Sequence, residues 1–105
     1  MKAIIENKIY DTEKCEKIYK YFKKIKDVTM LGTPSYIWRR ATIFKSKKGT
    51  YLEYLGKPVE SCFLTIFDDY EAKLTKISEK EVKKILLNFN EVDIYTKLFG
   101  ELEEG

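Results

Sequence analysis

Between positions 38 and 54 the chain reads WRRATIFKSKKGTYLEY, setting the rings of Trp38, Phe44, Tyr51 and Tyr54 among Arg39, Arg40, Lys45, Lys47 and Lys48. Rings offer flat faces to nucleobases and cations contact phosphates, so the mixture has the chemistry of single-stranded nucleic-acid binding. Aromatic side chains beside arginine also mark protein interfaces. A third reading is an ordinary β-hairpin with apolar residues on its core face and basic ones in water. Strand geometry sorts the residues: Tyr36, Trp38, Arg40, Thr42 and Phe44 share one face, and Ile37, Arg39, Ala41, Ile43 and Lys45 share the other. The expectation is that Ile37, Ala41 and Ile43 meet a helix, while Trp38, Arg40 and Phe44 form an outer surface. Lys45, Lys47 and Lys48 cluster around the turn, where they cannot serve a core. The candidate partner-binding set is therefore Trp38, Arg39, Arg40, Phe44, Lys45, Lys47 and Lys48.

Catalytic chemistry finds little to work with. The chain has no histidine, so the commonest general base and the commonest metal ligand are missing together. Two cysteines, Cys15 and Cys62, cannot close a structural zinc site. Both lie on segments that look core-facing, and they read as buried free thiols. Asp68-Asp69 is the one adjacent carboxylate pair inside the expected folded part, and on a strand adjacent side chains diverge, so a turn is the better reading. Gly49 and Gly56 serve turns rather than a phosphate loop. The sequence reads as a non-enzyme without metal or cofactor.

The elements that must hold the basic–aromatic stretch follow from turn and cap signals. Lys2 to Tyr10 alternates and breaks at Glu6-Asn7-Lys8, the pattern of a short strand pair. Asp11-Thr12-Glu13 has the form of a capped helix start. From there Cys15, Ile18, Tyr19, Phe22 and Ile25 recur at helical spacing, which predicts a helix over about 12–26, with Lys17, Lys20 and Lys24 on its wet face. Tyr36 to Lys45 predicts a strand, Ser46-Lys47-Lys48-Gly49 a turn, and Thr50 to Leu55 the returning strand, closed by Gly56-Lys57-Pro58. Cys62 to Phe67 and Tyr70 to Ile77 predict a further hairpin around Asp68-Asp69. Ser78-Glu79-Lys80-Glu81 is a capping box for a helix carrying Val82, Ile85, Leu86 and Phe89. A short final helix with Val92, Tyr95, Leu98 and Phe99 stops at Gly100. The expected architecture is one α+β domain over residues 1–105, an antiparallel sheet of about four to six strands with two main helices packed on it and a short C-terminal helix. Its expected core is Cys15, Ile18, Phe22, Ile43, Leu52, Leu64, Val82, Ile85, Leu86 and Phe89.

With 105 residues, 44% hydrophobic and 35% charged, the composition is that of a globular chain rather than a disordered one. No apolar run is long enough to span a membrane, and the first residues lack the apolar region of a secretion signal, so the expected location is the cytoplasm. The net charge of +3 hides an asymmetry: residues 1–50 carry 13 Lys/Arg against 5 Asp/Glu, and residues 51–105 carry 7 against 12. Such a lopsided chain points to a charged partner.

Four segments, KIYDTEKCEKI (8–18), IFKSKKGTYLEY (43–54), ISEKEVKKIL (77–86) and FGELEE (99–104), occur in an order that resembles a family of small proteins from phages, plasmids and conjugative elements of Firmicutes. Members open with an NGK-x-YDTE hairpin, continue with a basic hairpin and a SEEEA helix, and end in FGEVEE. This chain departs from that pattern at Glu6-Asn7, where relatives have Asn-Gly, and it has Gly56-Lys57-Pro58-Val59-Glu60 in place of a Gly-rich loop. Some members are anti-CRISPR proteins. The resemblance implies a mobile-element inhibitor, monomer or homodimer, that blocks a host CRISPR effector or its guide-RNA complex by stoichiometric binding. A basic accessory protein that binds nucleic acid directly is the alternative.

Overall fold

The computed structural model describes residues 1–28, 31–58, 71–103 and 105. Strands β1 (Lys2–Ile5) and β2 (Lys8–Asp11) form an antiparallel hairpin, turned by Glu6 and Asn7 at φ 51° and 64°. Both turn residues sit in the left-handed region that a tight hairpin turn requires. Thr12–Lys14 is a single 3-10 turn capped by Asp11, whose carboxylate accepts from the Glu13 N–H at 3.1 Å. The chain then runs through β3 (Glu16–Val28), β4 (Pro34–Lys45), β5 (Tyr51–Pro58) and β6 (Lys73–Lys76), which pair antiparallel in sequence order. Helices α1 (Glu79–Asn88) and α2 (Val92–Phe99) follow. The fold is α+β, as the sequence predicts.

One element is of the other kind. The helix expected over 12–26 is absent, and those residues form the long strand β3. The stretch satisfies two periods at once: Ile18, Phe22 and Ile25 fit a helix, whereas Tyr19, Tyr21, Lys23 and Ile25 fit a strand. Ile18, Tyr19, Tyr21, Phe22 and Ile25 are all β-branched or aromatic and lose side-chain freedom in a helix. Pairing with β4 over twelve positions, from Glu16↔Lys45 to Val28↔Pro34, decides between the two. Among the described residues the α+β fold therefore has a single main helix, α1, beside the short α2.

The two faces of the four-stranded sheet are covered differently. On the first, Ile43 and Tyr51 pack against Val82 and Leu86 of α1, with Tyr19, Tyr21, Tyr95, Leu98 and Phe99 around them. Ser78 caps α1 through the Glu81 N–H at 3.1 Å, and α2 ends where the Gly100 N–H donates to Thr96 O. On the second, Phe44, Leu52 and Leu74 are roofed by Ala3, Ile5 and Tyr10 of the β1–β2 hairpin, with Cys15 half-buried beside them. The hairpin roof covers only one end of this face. A Lys76–Glu6 ion pair at 3.1 Å reaches from β6 to the hairpin turn.

Ile43, Leu52, Val82 and Leu86 are fully buried, as expected, and Ile18 and Ile85 are partly so. Phe22 and Phe89 are not core: they are 53% and 46% exposed. Phe22 lands on the open half of the second face because β3 alternates, and Phe89 caps the Tyr19–Tyr21 ring pair from outside. The expected strand Cys62–Phe67, the Asp68-Asp69 turn and Leu64 lie outside the described residues. Strand β5 runs past Gly56 to Pro58 instead of stopping at Leu55. A Cβ at Gly56 would approach Arg40 O to 3.3 Å, so the close strand crossing there favours glycine.

Leu86→Ala should lower the unfolding free energy by about 2–5 kcal/mol, the range for truncating a fully buried leucine. Phe22→Ala should cost only about 1 kcal/mol, because half its ring is already in water. Paired denaturant titrations check both values, and a large loss at Phe22 would place it in the core after all.

Candidate nucleic-acid interface

Strand alternation builds the site. In β3, Lys20, Phe22, Lys24 and Lys26 are exposed while Tyr19, Tyr21, Lys23 and Ile25 are partly buried. The register sets Lys20 opposite Thr42, Phe22 opposite Arg40, Lys24 opposite Trp38 and Lys26 opposite Tyr36. Paired residues in antiparallel strands share a face. The open half of the sheet therefore presents Phe22, Tyr36 and Trp38, which are 53%, 57% and 50% exposed, interleaved with Lys20, Lys24, Lys26 and Arg40. The Lys24 ammonium lies over the Tyr36 ring, 4.4 Å from its centroid.

A groove of about 690 Å³ follows this face and the adjoining edge of β3. Among the described residues, six rings line it (Tyr19, Tyr21, Phe22, Trp38, Tyr54 and Phe89) together with Lys20 and Arg40, and no carboxylate does. A second groove of about 410 Å³ shares Tyr21, Phe22, Trp38 and Phe89 and turns toward α1, where Glu53, Glu81 and Lys84 line it.

The walls are fixed from beneath. Tyr19 and Tyr21 stack with centroids 6.0 Å apart and planes 9° from parallel, and Phe89 tilts onto both. The Tyr21 hydroxyl donates to Glu53 Oε2 at 2.6 Å and the Lys23 ammonium donates to Oε1 at 3.0 Å, so both oxygens of this buried carboxylate are engaged. The Tyr19 hydroxyl donates to Glu91 at 3.1 Å. Burial, then the hydrogen bond to Glu53, then the charges of Glu53 and Glu81 push the Tyr21 phenol well above its ordinary pKa. Burial and Glu91 raise Tyr19 in the same direction.

The structure divides the residues expected to act together. Trp38 and Arg40 share the open face with Tyr36. Arg39 is buried on the other face, donating from Nε to Gly56 O at 2.7 Å and from its terminal nitrogen to Glu71 O at 2.8 Å, where it ties β4 to the irregular end of β5. Phe44 shares the face of Trp38 but lies under the β1–β2 roof, 8% exposed. Arg39 and Phe44 are thus structural and not part of the surface. Lys45, half-buried near the Tyr51 ring, and the exposed Lys47 and Lys48 lie at the far end of β4. Lys45 lies seven positions along the strand from Trp38, roughly 23 Å.

Lys20 and Lys24 are exposed, as expected, but on a strand rather than on a helix, whereas Phe22 was expected in the core and Lys26 was not singled out. Reading 16–28 with a period of two exposes them at once. Lysines on an edge strand also discourage edge-to-edge pairing, which accounts for the cations of β3 but not for three half-exposed rings. Among the described residues, no cluster of three or more His, Cys, Asp or Glu could hold a metal ion, and no helix is long and apolar enough to cross a membrane. No protein-family model, curated protein or solved structure matches the chain.

The Tyr21–Glu53 bond fixes a pH dependence. A phenol with a raised folded pKa contributes stability that is complete below its ordinary value near 10 and is lost as pH rises beyond it. Tyr21→Phe should cost about 1.5–3 kcal/mol at neutral pH, the range for a hydrogen bond to a charged group, and should flatten the fall in stability above about pH 10. Urea unfolding at neutral and alkaline pH measures both effects.

Proposed function

We propose that the protein is a non-catalytic binding protein whose open sheet face holds single-stranded nucleic acid. One observation carries this reading: three half-exposed rings alternate with four cations on a strand face that bears no carboxylate among its described residues. Bases stack on rings of any kind, and the interleaved cations follow the phosphates. Protein interfaces favour arginine and aromatic residues but are poor in lysine. Three of the four cations here are Lys20, Lys24 and Lys26, which favours a polyanion. The protein would act in the cytoplasm of a bacterial cell.

The second reading keeps the same face and changes the target. Under the resemblance to mobile-element proteins, the surface would engage single-stranded nucleic acid displayed by a host CRISPR effector and block it stoichiometrically. Gel shifts with naked single-stranded RNA and DNA, set beside pull-down of a purified effector complex, separate the two. Binding of the naked strand supports the first, and capture of the complex alone supports the second.

Trp38→Ala and Phe22→Ala should each weaken single-strand binding by roughly 5- to 150-fold, the equivalent of one stacked base. Arg40→Glu should weaken it further by reversing an attraction. Fluorescence anisotropy with labelled oligonucleotides reads these changes. Unchanged affinity in all three variants would remove the sheet face from the interaction.

A further inference from the structure

A second basic surface lies at the opposite end of the sheet. The β1–β2 hairpin, the 3-10 turn and the β4–β5 turn enclose a groove of about 800 Å³ lined by Lys2, Lys8, Lys14, Lys47 and Lys48, with Tyr10, Ser46 and Thr50 between them. Three separate stretches of chain supply these lysines, and all five are exposed. Among the described residues Asp11 is the one carboxylate lining the groove, and its side chain caps the Glu13 N–H. The turn that projects Lys47 and Lys48 is held rigidly. Ser46 N–H donates to Thr50 O at 2.8 Å, Gly49 N–H donates to Ser46 O at 2.9 Å, and Thr50 N–H donates to Ser46 Oγ at 3.0 Å. Gly49 takes φ 90°, a value that suits glycine. The opposite wall is anchored where the N-terminal amine donates to Thr12 Oγ1 at 3.0 Å and Thr12 N–H donates to Met1 O at 2.9 Å.

Five like charges around one groove repel one another, a cost to the folded state that a polyanion would reverse. The groove lacks the aromatic platform of the sheet face, since Tyr10 is its single ring among the described residues and packs toward Phe44, Leu52 and Leu74. Without stacking surfaces it offers nothing that needs unpaired bases. We propose that this groove is a separate site for the phosphodiester backbone, indifferent to base identity and open to duplex DNA as well as to single strands. Phosphate contacts of this kind set register and affinity without reading sequence.

A short DNA duplex is the direct probe, because its stacked bases cannot enter the ring-lined groove. With Lys8→Gln, Lys47→Gln and Lys48→Gln combined, duplex binding measured by anisotropy across a salt series should weaken on the order of tenfold. The slope of log affinity against log salt should become shallower by roughly 0.9 per lysine removed. Two controls accompany it. Trp38→Ala should leave duplex binding unchanged, and Lys73→Gln, Lys80→Gln and Lys97→Gln combined, which removes the same charge elsewhere, should leave both affinity and slope near the parent's. The proposal is overturned if the parent does not bind duplex, if the groove variant keeps the parent's slope, or if the control triple loses as much. None of these outcomes bears on stacking at Trp38, which is read with single strands.

Discussion

The pairing of β3 with β4 is the constraint on which the other features rest. Twelve register pairs fix which side chain of each strand faces which layer, and a slip of one residue would exchange the two faces completely. In the observed register Ile43 meets the helical layer, Ala41 is buried, and Tyr21 reaches Glu53. The same register turns Phe22, Trp38 and Tyr36 to water. Covering one face with α1 and α2 and only one end of the other with the β1–β2 hairpin leaves an aromatic surface without a roof among the described residues. The open face is thus a consequence of how the core is built.

Charge is segregated in space as well as along the chain. The acidic side chains described near the sheet are placed away from its open face: Glu53 is buried and shared by Tyr21 and Lys23, Glu91 accepts from Tyr19, and Glu79 and Glu81 occupy the first turn of α1, where they favour the helix dipole. The surplus of lysine in the first fifty residues divides between the open face and the hairpin groove. Such separation raises the energy of the free protein through repulsion and favours a partner that supplies negative charge.

Local signals were the legible part of the sequence. Ser78 and Gly100 mark a cap and a stop that the structure reproduces, and Asp11 caps a 3-10 turn where a helix was expected, because caps depend on a few neighbouring atoms. The alternation of β4 placed Ile37, Ala41 and Ile43 inside and Trp38 and Arg40 outside, because that strand has one plausible period. Residues 12–26 predict a helix because their apolar set satisfies both periods, and tertiary pairing, invisible locally, makes the choice for a strand over Glu16–Val28. Arg39 and Phe44 failed as surface residues for a related reason. Arg39 is buried by carbonyls that only the end of β5 and Glu71 bring near it, and Phe44 by a hairpin whose docking position no local pattern encodes.

Trp38 is the single tryptophan of the chain and stands in the middle of the open face, so its emission reports directly on whether bases stack there. Titration with a single-stranded oligonucleotide at low salt should quench Trp38 in a saturable way, to the same degree in a variant lacking the groove lysines, while a duplex should leave the emission unchanged. Binding of single strands, registered independently by anisotropy, with no change in Trp38 emission would contradict the assignment of this face.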